Sequence, residues 1–261
     1  MSHSRRACRS SVQRRTGVAA LLLSVVLTLP AHAADITVSA AASLTNAFKA
    51  VGTAFEKQYP QDKVTFNFAA SDILVQQIVR GAPVDVFASA DQIAMDRAVQ
   101  AGAVAADTRQ DFAANQIVMI VPAGRNTAPQ SITELTQDGV KRVAYGNPAS
   151  VPVGRYTQAA LERDGVWAAV AAKGVPAQNV RQSLDYVARG EVDAGFVFAT
   201  DAAIMTDRVK VAAQLPSVTP VTYPIARTAR SAVQADADRF IAFVNSAQGQ
   251  AILSSFGFES P

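Results

Sequence analysis

The residues best suited to chemistry in this chain are two serines in short turns of small residues: Ser43 in Ala40-Ala41-Ala42-Ser43-Leu44-Thr45, and Ser71 in Ala69-Ala70-Ser71-Asp72. Each sits where an extended run gives way to a helical one. Residues 36–40 read as a strand, and from Leu44 the apolar residues Leu44, Ala47, Phe48, Val51 and Phe55 follow one helix face. This spacing predicts Ser43 at a helix N-cap, beside free first-turn amides and the positive end of the helix dipole, a natural place for an anion. Ser71 leads into a second helical run over 73–80 in the same way. Val153-Gly154 and Asn179-Val180 open two further helices. Read singly, each is an ordinary helix start, and a capping serine needs no ligand. With two from each of two facing lobes, the four would bring amides and two hydroxyls to one buried point. Neutral dipoles would then hold a dianion there without a lysine or arginine.

What the chain lacks narrows the chemistry further. Arg5, Arg6, Arg9, Arg14 and Arg15 precede the apolar run 18–29, and Ala31-His32-Ala33 follows as an A-x-A site. Residues 1–33 therefore read as a secretory signal peptide, too short for a membrane span. Its removal takes away five arginines and no acid, which moves the formal charge from +3 to −2. Nothing basic then remains to argue for nucleic acid or an anionic membrane surface. Cys8 is the sole cysteine, and His3 and His32 are the sole histidines. The exported chain has neither residue type, which excludes disulfides, thiol chemistry, histidine-liganded zinc or copper, and any Ser-His-Asp or Cys-His triad. No cofactor is expected, and the chain is expected to be exported.

The elements that must position these serines alternate. Strand-like runs at 36–40, 63–68 and 84–88 are each followed by a helical run, the third capped by Asp91. After a strand over 115–121, Ser131-Ile132-Thr133-Glu134 has the capping-box form and predicts a helix. Strands at 142–145, 194–198 and 209–212 follow, with helices from Val153, around Trp167 and from Val180 to the stop at Gly190. Residues 221–226 read as an extended connection before two last helices. The pattern predicts an α/β fold of two lobes, each a mainly parallel sheet flanked by helices; were the lobes to face each other, the four helix starts would meet a ligand in the cleft between them. The expected division is 34–114 plus 222–261 for lobe one and 115–221 for lobe two.

Together, Ala40-Ala41-Ala42-Ser43-Leu44-Thr45-Asn46, Phe68-Ala69-Ala70-Ser71, the run 81–91 (Gly-Ala-Pro-Val-Asp-Val-Phe-Ala-Ser-Ala-Asp), Val151-Pro152-Val153-Gly154, Val180-Arg181, Gly195-Phe196-Val197-Phe198 and Phe256-Gly257-Phe258 resemble the periplasmic molybdate-binding proteins of ABC transporters. The resemblance covers essentially the whole exported chain. It implies a type II periplasmic-binding-protein fold, with Ser43 and Ser71 giving hydroxyl and amide donors and Val153 and Val180 giving main-chain amides to the oxyanion. Molybdenum would be held only as the oxyanion. Two positions depart from the pattern. Relatives often carry Tyr where this chain has Phe198, so a hydroxyl is lost, with the hydroxyls of Tyr156 and Thr200, a further main-chain amide or an ordered water as candidates to replace it. Relatives often carry Ser at 72, and Asp72 is expected to turn outward and serve its own helix's amides.

The expected function is capture of molybdate, with tungstate as a second ligand, and delivery to a membrane permease of an ABC transporter. A receptor for sulfate or another tetrahedral oxyanion is the nearest alternative. An organic-carboxylate receptor would call for an arginine fork, and Arg155 is the arginine near a proposed site. An enzyme would need a general base beside Ser43 or Ser71, and the exported chain has no histidine to serve as one.

Overall fold

Strand and helix alternate through β1 (Asp35–Ala41), α1 (Thr45–Gln58), β2 (Lys63–Ala69), α2 (Ser71–Val79), β3 (Val86–Ala88), α3 (Gln92–Gln100) and β4 (Gln110–Asn115). The computed structural model describes residues 35–125 and 127–261, with Met1 and His3. Apart from those two, the residues of the expected signal peptide lie outside the described residues. Two units separate, Met1–Ala31 and His32–Pro261, and every strand and helix named belongs to the second. After β4 come β5 (Ile117–Pro122), β6 (Val143–Gly146), α4 (Pro152–Arg163), α5 (Trp167–Ala171), β7 (Gly174–Ala177), α6 (Val180–Ala188), β8 (Ala194–Phe198), α7 (Ala199–Ala202) and β9 (Val209–Leu215). The chain closes with β10 (Val221–Arg227), α8 (Gln234–Asn245) and α9 (Ala247–Ser255).

The strands form two five-stranded sheets, in the orders β2-β1-β3-β10-β4 and β7-β6-β8-β5-β9. In each sheet the first three strands are parallel and the fourth is antiparallel to both neighbours, so it alone runs backwards. The reversed strand is in each case the first one after a crossing between sheets: β5 follows β4, and β10 follows β9. The two lobes are therefore built on one plan and joined by two crossings.

Lobe one is held by an aromatic core. Phe48 and Phe55 on α1 meet Phe240 of α8 edge to face at 6.3 and 5.3 Å, and Phe48 tilts against Phe112 of β4 at 5.5 Å. The helix face read from the sequence is the buried one: Ala47, Phe48, Val51 and Phe55. Burying each of the larger side chains contributes roughly 1.5–3 kcal/mol.

In its secondary structure the lobes' scaffold departs from the sequence reading at three places. Only half of the capping box at Ser131 forms: the Glu134 N–H donates to Ser131 Oγ at 3.4 Å, but the Glu134 carboxylate accepts from the Gln130 N–H and not from that of Ser131, and a single 3-10 turn (Thr133–Thr136) follows. Residues 221–227 are a strand inside the first sheet, and Pro224, which cannot donate, falls where the register with β4 shifts. Strands β4 and β7 carry no clear strand signal in the sequence: β4 contains Gln, Asp and Asn, and β7 is four residues including a proline.

Candidate functional site

Between the lobes lies a small cavity lined by Ser43, Ser71, Val153, Val180 and Phe198. All five are buried, none more than 4% exposed. The remaining lining is Asn179, alanines, Val151 and Pro152, and none of it is ionisable. The four helix starts read from the sequence all meet there.

Each arrives by a local route. β1 ends in a 3-10 turn (Ala42–Leu44) that runs directly into α1. The tight turn moves the helix boundary to Ala41, so Ser43 is not the N-cap expected from the sequence and makes no side-chain capping bond. Its Oγ instead meets Tyr223 Oη at 3.1 Å. Ser71 is the first residue of α2, and its Oγ accepts the Ala90 N–H at 3.0 Å. A hydroxyl that accepts one bond in this way keeps its proton for another partner. In lobe two, Pro152 opens α4 and Val153 follows, while Asn179 caps α6 by accepting from the Gln182 N–H at 3.0 Å, with Val180 next. The first-turn amides of an α-helix have no intrahelical acceptor, so those of Val153 and Val180 are free to face the cavity. Gly154 sets the approach of α4, because a Cβ there would lie 1.9 Å from Gly146 O at the end of β6.

Asp72 stays out of the cavity, as expected, but does not serve its own helix's amides. It is buried and makes no capping bond; Oδ1 pairs with Arg97 of α3, and Oδ2 lies 2.7 Å from Arg155 Nη2. Two guanidiniums outcompete the helix's own amides for the carboxylate, which leaves those amides unclaimed. Arg155, on α4, also donates from Nε and Nη2 to Asp91 Oδ2 at 2.8 and 2.6 Å. Burial opposes the charge on Arg155, but Asp91 and Asp72 more than offset it and raise its pKa; burial likewise pushes the Asp91 carboxyl up against the pull of Arg155. These pairs join the lobes outside the cavity. Arg181 of α6 makes a second junction, donating to Asn46 Oδ1 at 2.8 Å and Ser43 O at 3.2 Å across the cleft and to Asp201 in its own lobe at 2.5 Å.

Phe198 lines the cavity, with its ring edge-on to Tyr223 at 5.7 Å and to Tyr156 at 6.5 Å. Neither of the hydroxyls expected to substitute for it lines the cavity. Thr200 Oγ1 accepts from Asn115 at 2.8 Å, and Tyr156 faces a separate groove with Ile93 and Val218. Sequence reasoning missed Tyr223, Asn115 and the Arg155 and Arg181 junctions. A tyrosine directly before a proline in an extended segment was the available signal for Tyr223. The arginine junctions depend on how the lobes meet and left no local pattern.

A two-lobed α/β fold with a donor-lined cleft defines a class of receptor that encloses a small solute between lobes. Residues 36–259 match the family described as bacterial extracellular solute-binding protein, and the chain belongs to that family. Within it the sequence stands beside the molybdate-binding proteins: it is 37% identical over 248 residues to the molybdate-binding protein ModA of Escherichia coli (strain K12), covering 92% of this chain and 95% of the relative. The periplasmic molybdate-binding protein of Azotobacter vinelandii superposes with a TM-score of 0.76 at 24% identity over 87% of this chain and 99% of that one. The sulfate-binding protein SubI of Mycobacterium tuberculosis H37Rv does so with 0.75 at 19% identity over 87% of each chain. At such identities these two structures speak to the fold alone. Among the described residues no helix is long and apolar enough to cross a membrane, and no group of three His, Cys, Asp or Glu could hold a metal ion.

Proposed function

We propose that this protein captures molybdate, and tungstate with it, in the periplasm and delivers it to the membrane permease of an ABC transporter. The observation that carries this reading is the cavity between the lobes, where helix starts from both lobes meet two buried serines and no charged side chain. Such a lining suits an oxyanion that brings its own charge and only accepts hydrogen bonds. Ser43 and Ser71 would donate from lobe one, and the amides of Val153 and Val180 from lobe two. The similarity to the Escherichia coli molybdate-binding protein supports molybdate over sulfate, and a rigid ring of donors cannot close on the smaller sulfate without strain.

We take 34–114 with 222–261 and 115–221 as the two bodies that hinge on the crossings, and the closed form as the one the permease distinguishes from the empty receptor. A signal peptide over 1–33 would export the chain. The carboxylate alternative loses its support, because Arg155 is committed to Asp91 and Asp72 and does not line the cavity. A non-catalytic role is supported by the lining itself, which offers no ionisable group as a general base for either serine.

Native mass spectrometry of the exported chain, purified with molybdate, tungstate or sulfate, tests the reading. A bound mass with molybdate and tungstate is expected. A bound mass with sulfate alone, or with an organic solute alone, would overturn it.

A further inference from the structure

Tyr223 Oη is completely buried and meets two groups, Ser43 Oγ at 3.1 Å and Asn115 Nδ2 at 3.3 Å. The direction of these bonds follows from counting donors. Asn115 Oδ1 accepts the Gln116 N–H at 2.9 Å, and a backbone N–H can only donate, so the other end of the Asn115 amide is its NH₂ group. That group donates to Tyr223 Oη and to Thr200 Oγ1. Among the described residues Ser43 Oγ is the one acceptor in a hydrogen bond with Tyr223, so the phenol proton goes to Ser43. Were Ser43 to donate instead, a buried phenol proton would be left without a partner, an arrangement that costs free energy. With its oxygen accepting from Tyr223, Ser43 has its own proton free for the cavity. Burial pushes the Tyr223 phenol well above its ordinary pKa, so it keeps its proton throughout the working range.

We propose that Tyr223 and Asn115 are positioning residues that fix Ser43 as a hydrogen-bond donor toward the cavity. The proposal rests on the reading of Ser43 as a ligand-facing group. Neither residue lines the cavity; they act through the serine. Donors in a chain also polarise one another, so the Ser43 proton is a stronger donor than that of an isolated hydroxyl. The placement ties this to lobe geometry. Asn115 ends β4 at one crossing, Tyr223 follows the other crossing in β10, and Thr200 belongs to α7 of lobe two. A tyrosine therefore serves the site from the hinge side although position 198 holds a phenylalanine.

The test is calorimetric titration of the exported chain with sodium molybdate for wild type, Tyr223→Phe, Ser43→Ala and the double variant, with melting temperatures recorded for each. Tyr223→Phe keeps the ring and its packing. We expect it to weaken binding about three- to tenfold in the wild-type background and to have no further effect in the Ser43→Ala background, the non-additivity of two groups acting as one. A second arm replaces Tyr223 with 3,5-difluorotyrosine, whose more acidic phenol is the better donor. Affinity should rise when Ser43 is present and stay unchanged when it is alanine, a dependence that mere packing would not produce. Equal losses for Tyr223→Phe in both backgrounds, or an affinity indifferent to phenol acidity with Ser43 present, would overturn the relay. Wild-type affinity in Ser43→Ala is the separate outcome that would overturn the reading of the cavity itself, and the relay with it.

Discussion

Ser43 and Ser71 are the side chains in the cavity with a hydroxyl proton to give, and each is held by a bond on its acceptor side. Removing either hydroxyl should weaken molybdate binding by roughly 1.5–3 kcal/mol, the range for a hydrogen bond to a charged partner. Isothermal titration checks this, and unchanged affinity in both variants would place the anion elsewhere. Ser71→Ala also strips the Ala90 N–H of its acceptor, so its melting temperature should fall as well. At Phe198 the ring reaches the cavity while Tyr156 and Thr200 stay out of it. Phe198→Tyr should then tighten binding by about 1 kcal/mol by adding a donor from lobe two. Weaker binding would mean that the space is already filled.

The helix starts act as elements, because an amide donor is placed only as well as the turn that carries it. α4 is set by the approach of Gly154 to Gly146 O. Gly154→Ala would force the first turn of α4 away from β6 and carry the Val153 amide with it. We expect a stability loss of about 1–3 kcal/mol, typical of forced overpacking, together with weaker oxyanion binding. Thermal denaturation and titration of the same sample read both, and a stable variant of full affinity would show that α4 has slack. α6 is fixed differently, by the Asn179 cap at its start and by Gly190, whose φ of +69° ends it in the left-handed region.

At the scale of the whole molecule, two arginines join the lobes. Arg155 reaches from α4 to Asp91 and Asp72, all three largely buried. Arg155→Met keeps the stem but leaves Asp91 without its cation and Asp72 with Arg97 alone, which should cost the closed form about 2 kcal/mol or more and weaken molybdate binding accordingly. Small-angle scattering should show a more open ligand-free receptor; identical profiles and affinities would mean that the junction contributes nothing. Arg181 is paired with Asp201, whose carboxyl burial pushes up to about 6 despite the arginine. Its folded pKa therefore lies above the ordinary value of 3.8, and the native state binds the extra proton. The Asp201 contribution to stability is present below about pH 4 and lost as pH rises through about 6. Asp201→Asn should remove that dependence, seen as a gain in melting temperature over wild type that appears above pH 6 and shrinks toward pH 4. Affinity should stay nearly flat from about pH 7 to 9, because no proposed donor titrates there.

Much of this was legible in the sequence because it is local. The periodicity at Phe48, Val51 and Phe55 marked a buried helix face, Asn179 and Gly190 bracketed α6, and the four small-residue helix starts announced themselves by residue type. The absence of cysteine and histidine after residue 33 narrowed the chemistry before any fold was known. Tertiary structure decided the rest. A 3-10 turn rather than a cap at Ser43 freed its hydroxyl for Tyr223, 180 positions away along the chain. Asp72 looked like an acid at its own helix start and became a partner for Arg97 and Arg155. Strand β10, with its proline, was recognisable only once β3 and β4 stood on either side of it. Helix faces and caps are set by neighbours within a few residues, whereas the direction of a buried proton or the choice of an ion-pair partner is settled by groups that only the folded chain brings together.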